Sequence, residues 1–448
     1  MIFSSFTFLL FFMPCVILLY RMAPGKARMP LLFAASLLFY GWSNPMWLLL
    51  LLFSMLLNWG GAQLMMRSGR SRPVFILCIA LNLLPLLFFK YAGFLRDTWN
   101  QLMPWNLSFA TPPLPAGISF FTFQAMSYLF DVYRGDAKVQ RSFITFGVYL
   151  SMFPQLVAGP IVRYTDLEMQ LIAHPRPDAA EMRQGFGRFA MGLAKKVLLA
   201  DAMGRLWSQM NMSFPQAGAL GAWLGLLAFS FQIFFDFSGY SDMAIGLGHM
   251  LGFTMPENFD RPYRARSLTE FWRRWHMTLT DWFKTYVYIP LGGSRAGRLR
   301  RDVNVLIVWA LTGLWHGAGW NFVLWGLYFA ALLVLEKRWL LNNQRWLRVP
   351  APVRQACTFL LVLLGWGLFS GFGAELWTAL AGGYGFGSPD ALITCLAYAP
   401  MLLLCCALCF LPSLKRMPGR RFAVPVLMIL CLAALASQGY APFVYFQF

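Results

Sequence analysis

Charge is scarce in this chain, and acidic charge scarcest: of 448 residues 12% are charged, with 18 Asp and Glu against 37 Lys and Arg. Soluble domains carry about twice that share of charge. A chain that is 58% hydrophobic, with mean hydropathy +0.56, would expose too much apolar surface in water, which excludes a soluble globular enzyme. The formal charge of +19 does not indicate nucleic-acid binding, because the basic residues fall between apolar runs rather than along one polar domain. Histidine is rarer still, with four residues, and no pair is spaced i, i+3 or i, i+4 beside a carboxylate, so no zinc or iron site is expected. The eight cysteines (Cys15, Cys78, Cys357, Cys395, Cys405, Cys406, Cys409 and Cys431) lie in apolar runs without metal-ligand spacing and read as small core or lipid-facing residues. Neither Ser119 nor Ser241 sits in a Gly-x-Ser-x-Gly elbow, so a serine-hydrolase triad is not expected either. No internal repeat and no soluble domain longer than a loop is evident.

What the chain does have is apolar runs, placed near 4–20, 30–42, 45–66, 73–89, 115–133, 142–159, 187–203, 218–236, 237–254, 302–316, 319–337, 355–372, 390–411 and 422–437. They predict an all-α, polytopic integral membrane protein, several of whose segments are too short or too polar to cross fully. The stretches 115–133 and 142–200 carry Pro, Gly and charges suited to re-entrant helices. The first run lacks a basic leader, and Arg21, Lys26 and Arg28 follow it, which predicts a retained span with the N-terminus outside. Basic clusters at Arg67/Arg70/Arg72, Lys337/Arg338/Arg345/Arg348/Arg354 and Lys415/Arg416/Arg420/Arg421 mark inner loops, whereas loop 373–389 is nearly neutral. We divide this single membrane domain into N-terminal helices (1–110), a core (111–340) and C-terminal helices (341–448).

His316 is the most informative residue. It lies in the apolar stretch Val305–Leu335, broken only by Leu314-Trp315-His316-Gly317-Ala318-Gly319-Trp320. Eleven residues at about 1.5 Å each place it roughly 16 Å into a hydrocarbon core about 30 Å thick. Ionisable rings at that depth are rare and face a pathway, a partner or a substrate. For a lone membrane histidine the alternative is a hydrogen bond to a neighbouring helix.

The longest polar insertion, 255–301, sets Arg261, Arg264, Arg266, Arg273, Arg274, Lys284, Arg295, Arg298, Arg300 and Arg301 against Asp260, Glu270 and Asp281. Trp272, Trp275, Trp282, Phe283, Tyr286 and Tyr288 are interleaved with them. Such a segment is expected along the inner interface, rings at the headgroup boundary and cations reaching phosphates of lipids or of an anionic ligand. A donor carrying several phosphates would need a basic mouth of this kind.

Four motifs then follow in order: Phe235-Asp236-Phe237-Ser238-Gly239-Tyr240-Ser241-Asp242, Pro256-Glu257-Asn258-Phe259-Asp260-Arg261-Pro262-Tyr263, Phe271-Trp272-Arg273-Arg274-Trp275-His276-Met277-Thr278-Leu279, and Leu314-Trp315-His316-Gly317-Ala318. In this order the chain resembles the membrane-bound O-acyltransferases. Upstream, Gly117–Gln124, Asp131–Gly135 and Phe153–Ile161 are similar to the bacterial branch that holds alginate O-acetyltransferases, with related peptidoglycan and cellulose acetylation proteins and the D-alanyl exporter of teichoic acids. The likeness covers about 110–335, and the region after about 340 looks shorter than in alginate acetylases. It implies a helical bundle around a central tunnel, with a catalytic histidine at His316 and a second motif histidine at His276. It also implies acetyl drawn from a cytoplasmic donor and passed outward, with a separate extracytoplasmic esterase-like protein completing transfer to sugar.

On their own chemistry, His316 suits the base that takes the acceptor hydroxyl proton, since desolvation keeps a buried imidazole neutral. A transient acyl-imidazole is the alternative. His276 is a candidate to orient the donor, polarise its carbonyl or gate the entrance, or else is an interfacial histidine bonded to a headgroup or carbonyl. Trp275, Arg273, Arg274, Trp315, Asp236, Tyr240 and Asn258 are the candidates for contacting substrate. Asp236, Tyr240 and Asp242 read as a hydrogen-bonded scaffold more than as catalytic groups; the alternative for Asp236 is a pair with an arginine of 261–274 that orients the entrance. His174 reads as a loop residue and His249 as a helix residue. No permanent cofactor is expected, and acetyl-CoA or another acyl thioester is the co-substrate. The expected setting is the bacterial inner membrane, with a periplasmic relay protein and a polysaccharide acceptor as partners. Two rival classes remain open: a transporter or flippase for an anionic lipid-linked sugar, and a non-catalytic scaffold of a polysaccharide secretion complex.

Overall fold

The computed structural model describes residues 1–42, 44–295, 297–341, 343–410, 420–438 and Phe443, of which 420–422 by backbone alone. Lys415 and Arg416 of the expected third basic cluster lie outside the described residues, as do the side chains of Arg420 and Arg421. The architecture is all-α, with no strand among the described residues. Among the described residues six helices are long and apolar enough to cross a membrane: Met46–Arg67, Arg72–Leu102, Phe214–Met250, Trp320–Leu340, Ala351–Phe369 and Pro389–Phe410. Thr7–Met22 and Ala423–Ser437 are shorter apolar helices. The protein is a multi-pass membrane protein.

Two expected boundaries move. The runs 218–236 and 237–254 form one helix, Phe214–Met250, with non-helical backbone only at Gly218. The polar stretch between them does not end the helix because its charges are satisfied sideways, Asp236 by Lys196 at 2.8 Å and Asp242 by Arg188 at 2.9 Å. Conversely, 142–159 is helical only over Phe143–Ser151 and continues as turns.

The described chain divides into two compact units, Met1–Ala190 with Tyr240–Glu257, and Met191–Gly239 with Asn258–Phe448. In the first unit, Met46–Arg67 and Arg72–Leu102 pair through the buried amides of Asn58 and Asn82, each donating to the other's Oδ1 at 2.9 Å. The rings of Phe3, Phe8, Phe12, Phe39 and Phe153 pack together in its core. In the second unit, Arg298–His316 and Trp320–Leu335 form a tight helical hairpin joined by Gly317–Gly319. Its closeness depends on Gly326, where a Cβ would collide with the Trp309 carbonyl and sit 3.4 Å from the Gly313 Cα. Trp272, Trp275, Trp309, Trp325, Phe329, Trp366 and Phe369 form the aromatic core of this unit.

Candidate functional site

The insertion 255–301 folds as a chain of short helices, Pro262–Arg264, Leu268–Arg274 and Met277–Phe283, the last continued by the π-helical segment Lys284–Tyr288. Five of the six rings turn inward instead of facing outward: Trp272, Trp275, Trp282, Phe283 and Tyr286 are buried and Tyr288 is half-buried, while Arg266, Arg273 and Lys284 are exposed. Burying aromatic rings inward against apolar helices removes far more area from water than laying them on a surface, so the segment is amphipathic about its own core.

Leu268–Arg274 starts cleanly because Ser267 caps it, accepting from the Glu270 N–H at 3.0 Å. A second acceptor, the carboxylate of buried Glu336, accepts from the Leu268 N–H at 2.6 Å, the Thr269 N–H at 2.8 Å and the Thr269 hydroxyl at 2.6 Å. That carboxylate occupies the positive end of the helix dipole, where charge-assisted bonds are strongest. Sequence reasoning missed Glu336. Its signal was a carboxylate standing alone after the long apolar run Val305–Leu335, a placement that is costly without donors.

The helix ends at Trp275, and His276 turns the chain with φ +44°, a left-handed conformation unusual for a histidine. The segment 258–260 holds this bend from outside the helix, the Met277 N–H bonding the Asn258 carbonyl at 3.0 Å and the Asp260 N–H the Arg274 carbonyl at 2.9 Å. Strained backbone that persists is over-determined by its surroundings and clusters at functional sites.

The hydrogen bonds of Asn258 fix the His276 tautomer. The Thr278 N–H and hydroxyl both reach Asn258 Oδ1, at 3.4 and 3.0 Å, and a backbone N–H can only donate, so this atom is the amide oxygen. His276 Nδ1 lies 3.0 Å from the same oxygen and therefore carries the proton, leaving the lone pair on Nε2. The imidazole is walled by Phe237 at 4.7 Å and Phe259 at 6.5 Å between ring centroids. Burial pushes its pKa down to about 3, so it is neutral across the physiological range.

His316 is the last residue of Arg298–His316, and Gly317 and Gly319 continue in extended conformation. Its ring is enclosed by Trp315, Trp325 and Phe369 at 5.0, 5.1 and 5.4 Å, all edge to face, and the residue is buried. The Trp325 indole N–H is buried and finds no hydrogen-bond partner among the described residues. Trp315 also contacts His276, ring centroids 5.9 Å apart, so the two motif histidines share a wall.

The other candidates divide. Asn258 and Trp315 join the histidines. Trp275 is core, packed on Phe259 at 5.1 Å and Trp366 at 4.8 Å. Arg274 pairs with Glu270 at 2.7 Å and Asp260 at 3.5 Å, whereas Arg273 is exposed. Of the two readings of Asp236, the arginine pair is not formed among the described residues: Asp236 makes a buried ion pair with Lys196, which also bonds Asp201 at 2.7 Å. A lysine one helix away satisfies the carboxylate without drawing an arginine from the exposed face. Tyr240 belongs to the first unit, where it stacks on Phe3 at 4.8 Å. His174 is an exposed loop residue with Nδ1 3.0 Å from the Gly25 carbonyl. Among the described residues no group of three or more His, Cys, Asp or Glu could hold a metal.

The chain is thus an all-helical membrane protein with one histidine at a helix end inside an aromatic cage and the neutral His276 on the same wall. The family model for membrane-bound O-acyltransferases matches residues 116–370, and the chain belongs to that family; it is an acyltransferase. Among its relatives, the "Probable alginate O-acetylase AlgI" of Pseudomonas putida is 36% identical, with both chains covered in full. The protein of the same name from Pseudomonas aeruginosa is 40% identical over 82% of this chain and 72% of its own. The "Peptidoglycan O-acetyltransferase" of Helicobacter pylori is 33% identical over 82% of this chain and 77% of its own.

Proposed function

We propose that this protein takes acetyl from a cytoplasmic thioester, acetyl-CoA or a close equivalent, and delivers it across the inner membrane for O-acetylation of an exported, alginate-like polysaccharide. The relatives named as alginate O-acetylases, 36–40% identical, support the polymer class. The observation that carries the chemistry is His316 itself, a buried imidazole caged by aromatic rings that shares the Trp315 wall with the neutral His276. In the base route, a His316 nitrogen takes the acceptor hydroxyl proton, the oxygen bonds the acyl carbon, the carbon–sulfur bond breaks, and the proton passes to the thiolate. In the acyl-carrier route the His316 nitrogen first bonds the acyl carbon, the carbon–sulfur bond breaks and the thiolate takes the imidazole N–H proton, and the acceptor hydroxyl then displaces the imidazole and returns its proton to the ring.

Of the three roles open to His276, polarising the donor carbonyl needs a donor on Nε2. The tautomer fixed by Asn258 gives an acceptor there instead, which favours orienting a hydroxyl or amide of substrate. The buried indole N–H of Trp325, whose ring packs 5.1 Å from that of His316, is a candidate donor for a developing oxyanion. The absence of a serine elbow favours a separate periplasmic esterase-like protein for the final transfer.

The test is release of free thiol from acetyl-CoA by purified protein, wild type against His316→Ala. We expect loss of nearly all turnover with unchanged expression and thermal midpoint. Full cellular acetylation by the variant would point to a scaffold, and wild-type protein that consumes no acetyl thioester would point to transport.

A further inference from the structure

A cavity of about 580 Å3 opens in the first unit, remote in sequence from both motif histidines, and its polar lining is Gln63, Arg67, Arg70, Lys138 and Arg141. No carboxylate lines it. None of the four cations makes an ion pair or hydrogen bond among the described residues, and all four are exposed. Four like charges gathered round one concavity repel one another unless an anion sits among them.

The walls are built rather than loose. Gln140 fastens the loop carrying Lys138 and Arg141 to the end of Met46–Arg67: its carbonyl accepts from Gln63 Nε2 at 2.9 Å, and its N–H donates to the Tyr128 hydroxyl at 3.0 Å. Its side chain bonds the Tyr164 hydroxyl at 3.1 Å and the Ser142 N–H at 3.0 Å. Opposite, Gly69 and Arg70 both take positive φ, +67° and +59°, in a turn closed by the Ser71 N–H on the Met65 carbonyl at 3.2 Å. Arg70 accepts that conformation where glycine would be easier. Gly135, at φ +86°, makes room for it, since a Cβ there would lie 2.7 Å from Arg70 Nη2.

We infer that this cavity binds an anionic phosphate group. Guanidinium forks match phosphate oxygens two at a time, and three arginines with one lysine line this one concavity. The volume exceeds what bare phosphate fills and lies in the range of ligand sites, so the phosphate belongs to a larger polar body. The cavity joins the end of one candidate span, Met46–Arg67, to the start of the next at Arg72, the height of lipid headgroups. Two sources share this chemistry, an anionic phospholipid and a soluble polyphosphate.

The experiment uses the full chain in detergent. One arm counts phosphatidylglycerol retained in native mass spectrometry, against phosphatidylcholine. The other follows the thermal midpoint with inorganic pyrophosphate, against sulfate. Each arm compares wild type with Arg67→Gln/Arg141→Gln and with a control, Arg345→Gln/Arg348→Gln, which removes two exposed cations elsewhere. Binding in one arm should weaken about fivefold per cavity cation removed, ~1 kcal/mol each, and hold in the control. Loss confined to phosphatidylglycerol identifies a lipid, and loss confined to pyrophosphate a soluble anion; either supports the site. Equal weakening in both variants, or no binding in either arm, overturns it and leaves only attraction of basic loops to an anionic surface.

Discussion

Trp315 sets its indole 5.9 Å from the His276 imidazole at an interplanar angle of 60°, and the next residue in the chain is His316. One buried side chain thus fixes the spacing of two motif rings carried by different helices. Misplacement of a reacting group by about 1 Å can cost ~10²-fold in rate. Trp315→Leu should therefore lower thiol release by about 10- to 100-fold, while Trp315→Phe, which keeps an aromatic wall, should keep most of it. Rates are to be read beside thermal midpoints, and a Leu variant as active as wild type would break the link between the two histidines.

Asn258 offers a pH test. His276 binds its proton less tightly when folded, about 3, than when unfolded, near 6.5. The unfolded chain therefore holds more protons at low pH. The stability contributed by the neutral ring is complete above about 6.5 and is lost as pH falls from there towards 3. Between pH 7 and 9 wild-type activity should show no inflection from His276. Asn258→Asp places a carboxylate 3.0 Å from Nδ1, which favours the imidazolium and should introduce a new acid-side loss of activity at higher pH than in wild type. Superimposable profiles of the two proteins would contradict the assigned contact.

Glu336 acts on the site at a distance, through the helix that presents Trp275 and His276. Glu336→Ala leaves two backbone N–H groups without their buried acceptor, at about 1–3 kcal/mol each. Glu336→Gln retains one acceptor oxygen and loses the charge at the helix start, so about 1–2 kcal/mol is expected. A drop in thermal midpoint with Ala larger than with Gln, accompanied by a fall in kcat rather than a rise in KM, would mark Glu336 as a positioning residue.

The sequence carried the helical class, the two histidines and their order because each rests on local features: apolar length, a costly ring, a spaced motif. The hairpin Arg298–His316 and Trp320–Leu335 falls close to the expected 302–316 and 319–337. What it did not carry depends on distant partners. That Asp236 would meet Lys196 and not an arginine, that five rings of the polar insertion would turn inward, and that Phe369 would complete the wall around His316 are all outcomes of tertiary packing. Periodicity ranks such contacts poorly, because an aromatic residue beside an arginine suits an interface as well as a core.

The paired amides of Asn58 and Asn82 make a test of helix association that does not involve the acyl-transfer residues. Each Nδ2 also donates to a carbonyl one turn back in its own helix, Ser54 at 2.7 Å and Cys78 at 2.8 Å, so the partner's Oδ1 is the tertiary contact. Asn→Leu at either position removes both interhelical bonds and leaves the other amide buried without its partner, at about 1–3 kcal/mol. Replacing both restores apolar matching between the helices. Asn58→Leu/Asn82→Leu should therefore be less destabilised than the two single variants combined, by roughly 1 kcal/mol in a double-mutant cycle on unfolding midpoints. Strict additivity would mean that these two helices are held by van der Waals packing alone, with the amides contributing nothing to their register.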